Sequence, residues 1–340
     1  VEGRGFLTWA AVGLVAIVAL FALVDTLRDL GASTPEPART AAETTTTAAS
    51  TTTTGPAPRP EAPPGWQEGV LQGVLTFEDA NDCTIRSIGL AGGRERPVPG
   101  FVTACTGFWA PPIGARLAFV SPPESSGTIR FVDLGSPNAD LGTFIANGDV
   151  HWSADGQRAA WCADPRLDIG IELENFGGEA RQLPHCPIAY TTGGELAYAE
   201  GRHLIVGDRT VARMPSPIRF AQFGPGGALV LVDFRGLVRR FGADPVRAGP
   251  VGGWNGLQPV FSPDLCLAAF PRPLGFTLVE LGCAGEVVYG RIPGTAAAWS
   301  PDSRWLAVAA EGEIRFYPAG STGAPSLVWP AQALTLAWRP

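Results

Sequence analysis

The chain has no lysine. All 25 cationic side chains among its 340 residues are arginine, set against 32 acidic ones, for a formal net charge of -7. No run of basic residues occurs, so the footprint needed for sequence-independent nucleic-acid binding is missing and nucleic acid is excluded as a partner. Histidine is scarce. His151, His185 and His203 show no zinc-type spacing, and there is no Cys-x-x-Cys pair. No D-x-D-x-D-G run offers a calcium loop. Gly224-Pro225-Gly226-Gly227 lacks the Lys-Ser/Thr that would make it a phosphate loop. There is no G-x-S-x-G, and Ser153-Ala154-Asp155-Gly156-Gln157 places its glycine one position too early for the Asp-box of sialidases. No catalytic residue, metal or other cofactor is therefore assigned.

What the chain does have is glycine (43) and proline (32), in a proportion that favours many turns over long helices. Its six cysteines, Cys83, Cys105, Cys162, Cys186, Cys266 and Cys283, form an even set in the C-terminal part. Six cysteines permit fifteen pairings. The local ones, Cys83–Cys105, Cys162–Cys186 and Cys266–Cys283, are expected as disulfides in an oxidising compartment.

The N-terminal part divides in two. Within residues 1–30, Phe6 to Val24 carries no charge and is rich in Ala, Val and Leu. At about 1.5 Å per residue it is just long enough to cross the hydrocarbon core, so it is expected as a signal anchor and the bilayer as a partner. Arg4 before it and Asp25, Arg28 and Asp29 after it favour a cytoplasmic N-terminus, with the remainder of the chain exported. Residues 31–65 contain Thr44–Thr47, Thr51–Thr54 and many prolines, with almost no large apolar side chains. Such a segment cannot offset the entropy of ordering and is expected to be a disordered linker.

Residues 66–340 repeat. A short apolar strand ends in an aromatic residue, a Ser/Pro/Asp/Gly turn follows, and then a second apolar strand. Trp299-Ser300-Pro301-Asp302-Ser303 before Arg304–Val308 is one copy, and Trp152-Ser153-Ala154-Asp155-Gly156 before Gln157–Trp161 another. Phe261-Ser262-Pro263-Asp264 and Phe223-Gly224-Pro225-Gly226 open two more, and looser copies begin at Tyr190 and Trp109. The chain stops inside a seventh, at Trp338. Each turn residue has a local reason: Pro presets φ, Asp and Ser bond nearby amides, and Gly accepts positive φ. The aromatics fall at 109, 152, 190, 223, 261, 299 and 338, in steps of 43, 38, 33, 38, 38 and 39. Units of that length fit four-stranded propeller blades, with the aromatics wedged between neighbours.

The motif resembles the TolB-type, WD40-like propeller repeat (PD40) over about Gly69 to Pro340, most closely at 152–163, 261–270 and 299–309, while the turns after 109 and 190 depart from it. The resemblance implies an all-β propeller and a role in envelope-associated assembly. The two ends complement each other: Leu334–Trp338 is an innermost strand without a blade, whereas Val70–Phe77, Cys83–Ile88 and a strand near Arg96–Val98 lack an innermost partner. Joining them makes one composite blade and removes the open edge, so seven blades are expected, with six as the alternative.

The functional expectation is a binding or scaffold module for a protein, peptide or envelope polymer, held at the cell membrane with the propeller outside. Two alternatives are a hydrolase or lyase at the channel mouth and a sensor ectodomain working through a membrane partner. For the former, His151 and His185 are expected at matching ends of successive inner strands, near Asp149, Asp155 and Asp264. These aspartates already have sufficient local roles in turns. Arg235, Arg239 and Arg240 form a cationic cluster around Phe234, read as a solvated outer strand.

Overall fold

A computed structural model describes Trp66 and residues 69–340, apart from 104, 121–126, 136–139, 147, 177–179, 243–245, 252 and 284–288. The described residues all belong to one compact unit. The proposed anchor in residues 1–30 and the linker 31–65 lie outside the described residues. Among the described residues no helix is long and apolar enough to cross a membrane.

This unit is all-β. Seven four-stranded antiparallel sheets follow one another, and in each the strands pair in sequence order, with one exception. The innermost strands of blades 1 to 6 are Phe108–Trp109, Val150–Trp152, Pro187–Tyr190, Ile218–Phe223, Val260–Phe261 and Ala296–Trp299. Every repeat aromatic among these six ends its strand. The turns that depart from the motif after Trp109 and Tyr190 still connect paired strands, Phe108–Trp109 with Arg116–Phe119 and Pro187–Tyr190 with Leu196–Glu200.

The exception closes the ring. The last strand, Ala333–Arg339, is the innermost member of a sheet completed by Val74–Asp79, Thr84–Gly89 and Arg94–Val102. Its register runs from Val74↔Arg339 to Asp79↔Ala333. The expected composite blade and the count of seven are thus observed, with the three N-terminal strands a few residues from their anticipated limits.

Burial explains the strand sequences. The second strand of a blade has a neighbouring blade on each face, so Leu229–Asp233 is buried throughout and Trp305–Ala310 nearly so, and both read as continuous apolar runs. Outer strands such as Arg209–Arg213 bury only one side chain and are correspondingly polar. The core lies between blades. One cluster joins Ala269, Phe276 and Leu278 of blade 5 to Trp299, Leu306 and Val308 of blade 6. The Trp299 indole also donates to the Val260 carbonyl of blade 5 at 2.9 Å, so the repeat aromatic does wedge between blades.

In three turns the same serine geometry recurs. Ser153, Ser262 and Ser300 are all buried, and each donates its hydroxyl to the aspartate two residues on at 2.6 Å. Each also accepts the amide five residues on at 2.9 Å. The fourth turn position is left-handed in all three, at Gly156, Leu265 and Ser303. Ser300→Ala would strand the Trp305 amide without an acceptor. It is expected to lower stability by about 1–2 kcal/mol, read as a lower urea midpoint at unchanged slope.

The three expected disulfides are formed, and among the described residues no cysteine is free. Antiparallel order places each blade's first turn and its third-to-fourth loop on one face, here the turn face. The second-to-third loop and the blade-to-blade connection lie on the other, the connection face. Cys83–Cys105 and Cys162–Cys186 belong to the connection face and Cys266–Cys283 to the turn face.

Candidate functional site

The innermost strands leave their inner edges unpaired around a central channel of about 720 Å³ to which all seven blades contribute. Among the described residues no acidic, basic or histidine side chain lines it. Trp152, Tyr190, Phe223, Phe261, Trp299 and Trp338 are among its lining residues, and its turn-face mouth is framed by Pro111, Pro112, Pro225 and Pro263 with Ala154 and Gly224. The seventh repeat aromatic, Trp109, is absent from the lining; its indole donates to Asp149 at 3.4 Å.

The polar groups of the lining separate into two sets. Ser262 is engaged in its turn, Thr191 accepts the Glu195 amide at 3.0 Å, Gln222 donates to the Phe223 carbonyl at 3.2 Å and Thr295 donates to the Ala309 carbonyl at 3.4 Å. The side chains of Thr192, Gln258 and Thr335, from blades 3, 5 and the closing blade, make no hydrogen bond with the described residues. The buried Trp152 indole nitrogen also has no partner. Unspent donors and acceptors among aromatic and aliphatic surfaces suit an uncharged ligand, because nothing in the wall would compensate a buried charge.

The titratable groups named from sequence lie elsewhere. His151 is inside an innermost strand, where burial pushes its imidazole below its ordinary range against the pull of Asp149. His185 is not its counterpart: Trp152 aligns with Tyr190, so the residue equivalent to His151 is Ala189. His185 instead belongs to the connection between blades 2 and 3, with Nδ1 at 2.7 Å from Asp168. Burial raises the Asp168 carboxyl, but the Cys186 amide and the His185 ring outweigh it and hold the group below its usual range. Asp155 and Asp264 serve their turns through Ser153 and Ser262. Among the described residues no group of three His, Cys, Asp or Glu is placed to hold a metal.

Two buried carboxylates were not evident from the sequence. Glu172 accepts hydrogen bonds from the Tyr190 hydroxyl at 2.8 Å and from Arg181, tying blade 2 to blade 3. Burial beside this carboxylate pushes the Tyr190 phenol upward. Glu78, in the closing blade, meets Thr103 through one carboxyl oxygen and accepts the Gly107 amide at 2.8 Å through the other. Burial pushes its carboxyl up to about 7, partly opposed by the Gly107 amide. Neither residue recurs with the repeat, so no periodic signal marks it.

No family model and no curated protein matches this chain. Among solved structures it is similar to TolB from Acinetobacter baumannii, with 15% identity and a TM-score of 0.48 over 79% of this chain and 67% of that one. It is also similar to the Cps50 (Swd1) β-propeller domain of Myceliophteria thermophila, with 11% identity and a TM-score of 0.47 over 68% and 89%. Kuenenia stuttgartiensis hydrazine synthase shares 14% identity at a TM-score of 0.44 over 62% and 76%.

Proposed function

We propose that the chain is a propeller of the TolB-type, WD40-like repeat family that acts as a binding or scaffold module, held at the cell membrane by Phe6–Val24 with its ring on the extracytoplasmic side. The observation that carries the binding role is the channel: seven open strand edges, a largely aromatic and aliphatic wall and no charge. Strand edges offer amides and carbonyls at regular spacing, and rigid rings lose little entropy when they meet a ligand. Such a wall suits an uncharged stretch of a protein, peptide or envelope polymer. The three disulfides support an oxidising compartment. The charge-free run Phe6–Val24 supports the anchor.

Site-specific photo-crosslinking in intact cells tests this reading. A benzophenone side chain at Thr192 or Gln258 is expected to give a discrete adduct, whereas one at Val211, exposed on the outermost strand of blade 3, is not. Equal labelling at Val211, or none in the channel, would end the channel reading. In a second arm, protease confined outside the cytoplasmic membrane is expected to degrade the ring; full protection until that membrane is broken would end the assigned topology.

A further inference from the structure

The arginines are unevenly placed. Residues 201–260 hold eight arginines against three aspartates, in a chain whose net charge is -7. The ion pairs of the described residues engage Arg86, Arg130, Arg158, Arg181, Arg304, Arg315 and His185, and none of the arginines of blades 4 and 5. Asp233, the nearest carboxylate in sequence to Arg235, is buried and bonded to Ser216 and to the amides of Arg235 and Leu237. It offers the neighbouring guanidinium groups no partner.

Topology brings several of these arginines to the connection face. Arg219 is the second residue of the innermost strand of blade 4, and Arg235 lies in the loop between Leu229–Asp233 and Leu237–Phe241. Arg272 ends the second strand of blade 5, and Arg291 lies toward the end of its fourth, Tyr289–Ile292. The patch is continuous. The Arg219 guanidinium lies 5.0 Å from the Phe234 ring centroid, and a Cβ placed on Gly256 would be 3.8 Å from it. Arg272 packs directly on Gly253 of the same connection and, with Arg291, walls a cavity of about 390 Å³. The cluster anticipated around Phe234 is thus changed in membership: Arg219 covers that ring, while Arg239 lies over Phe241.

Apolar side chains project from the same loops. Phe234 is 59% exposed and Leu274, at the tip of the blade 5 hairpin, 90%. Two apolar tips carried on loops of different blades, each beside an arginine in sequence (Phe234 beside Arg235, Leu274 two residues after Arg272), offer little apolar area to a protein partner. They suit the interfacial layer of a bilayer, where each enters independently while guanidinium groups at their bases meet headgroup phosphates. We propose that the connection face of blades 4 and 5 is a docking surface for an anionic lipid bilayer. This goes beyond the channel reading and does not depend on it.

The ring can be tested without its N-terminal segment. It is closed by its own strands, forms one compact unit over 58–340 and carries all three disulfides. Residues 58–340 are expected to co-sediment with phosphatidylglycerol vesicles and not with phosphatidylcholine vesicles, and to be released as NaCl rises from 0.1 to 0.5 M. The paired substitution Arg235→Gln and Arg291→Gln, at two exposed positions, is expected to lower the partition coefficient about 10-fold. Leu274→Ser should weaken binding further, whereas Arg304→Gln, on the turn face, should leave it unchanged. Unchanged melting curves would show that these variants fold. Equal binding to both vesicle types, no binding to either, or unaltered binding by the paired variant would overturn the proposal. Capture of soluble polyglutamate without vesicle binding would also overturn it, assigning the patch to an acidic polypeptide.

Discussion

A chain ending at Gln332 is expected to lose cooperative unfolding altogether. The missing strand, Ala333–Arg339, pairs with Val74–Asp79 and buries Ala333, Leu336 and Trp338 in one cluster with Leu75, Phe77, Phe316 and Trp329. Leu336 and Trp338 alone account for roughly 1.5–3 kcal/mol or more each in burial, against a total stability of about 5–15 kcal/mol for a typical domain. The strand also carries polar ties. Trp338 donates to the Gln72 carbonyl at 2.8 Å, and the buried Arg339 guanidinium donates to the Gly114 carbonyl of blade 1 and to Thr76, each at 2.6 Å. Without it the ring is open, and the remaining three strands of the closing blade keep no innermost member. Trp338→Ala isolates the packing part and is expected to cost about 3–5 kcal/mol, or a melting temperature lower by about 10 °C. Thermal unfolding followed by near-ultraviolet circular dichroism reads both. A truncated chain that melted within a few degrees of the full one would refute the closure.

The contribution of Glu78 to stability is expected to fall as pH rises from 5 to 8, and Glu78→Gln to remove that contribution. The Glu78 carboxyl stands at about 7 in the folded chain against 4.5 for an unperturbed group. Between those values the folded chain holds a proton that the unfolded chain has released. Its contribution is therefore complete below about pH 4.5 and is lost as pH rises through about 7. A difference of that size corresponds to about 3 kcal/mol. The surroundings suit the neutral acid. Thr103 Oγ1 lies within donating reach of both Glu78 and the Cys83 carbonyl, the latter at 3.2 Å, but has one proton to give; a proton on Glu78 lets both bonds form, while the second carboxyl oxygen keeps the Gly107 amide. Ionisation leaves Thr103 one proton for two acceptors and a buried charge with no cation beside it among the described residues. Glutamine reproduces the donor and the acceptor at every pH. Urea unfolding of both proteins from pH 5 to 8 is expected to show a difference that widens in favour of the variant as pH rises. Parallel curves would refute the assignment, since the background from other titrating groups cancels in the difference.

Thr103, Gly107 and the Cys83–Cys105 disulfide all lie in or beside the connection from the closing blade to blade 1. The two predictions therefore probe the same feature from opposite ends, the innermost strand in one case and the loop that leaves the blade in the other. The ring is one cooperative object because its apolar clusters lie between blades, so loss at the closing blade is also loss for its neighbours.

The sequence by itself determined the repeat and what depends on near neighbours along the chain. The buried serine turns recur in three units, and the apolar second strands and the aromatic at or next to each innermost strand's end recur around the ring, and repetition makes a weak local signal legible. The half-blades at the two ends implied their own joining, because each lacked what the other had. The local disulfides were readable because each loop they close is shorter than one blade. Tertiary structure alone decided which side chains from different blades share a surface. The uncharged channel, the raised carboxyl of buried Glu78, the separation of His151 from His185 and the arginines gathered on one face involve residues that no period relates. Their meeting depends on how far each sheet twists and where the ring curves. Those quantities are sums over the whole closed circle, and no single unit carries them.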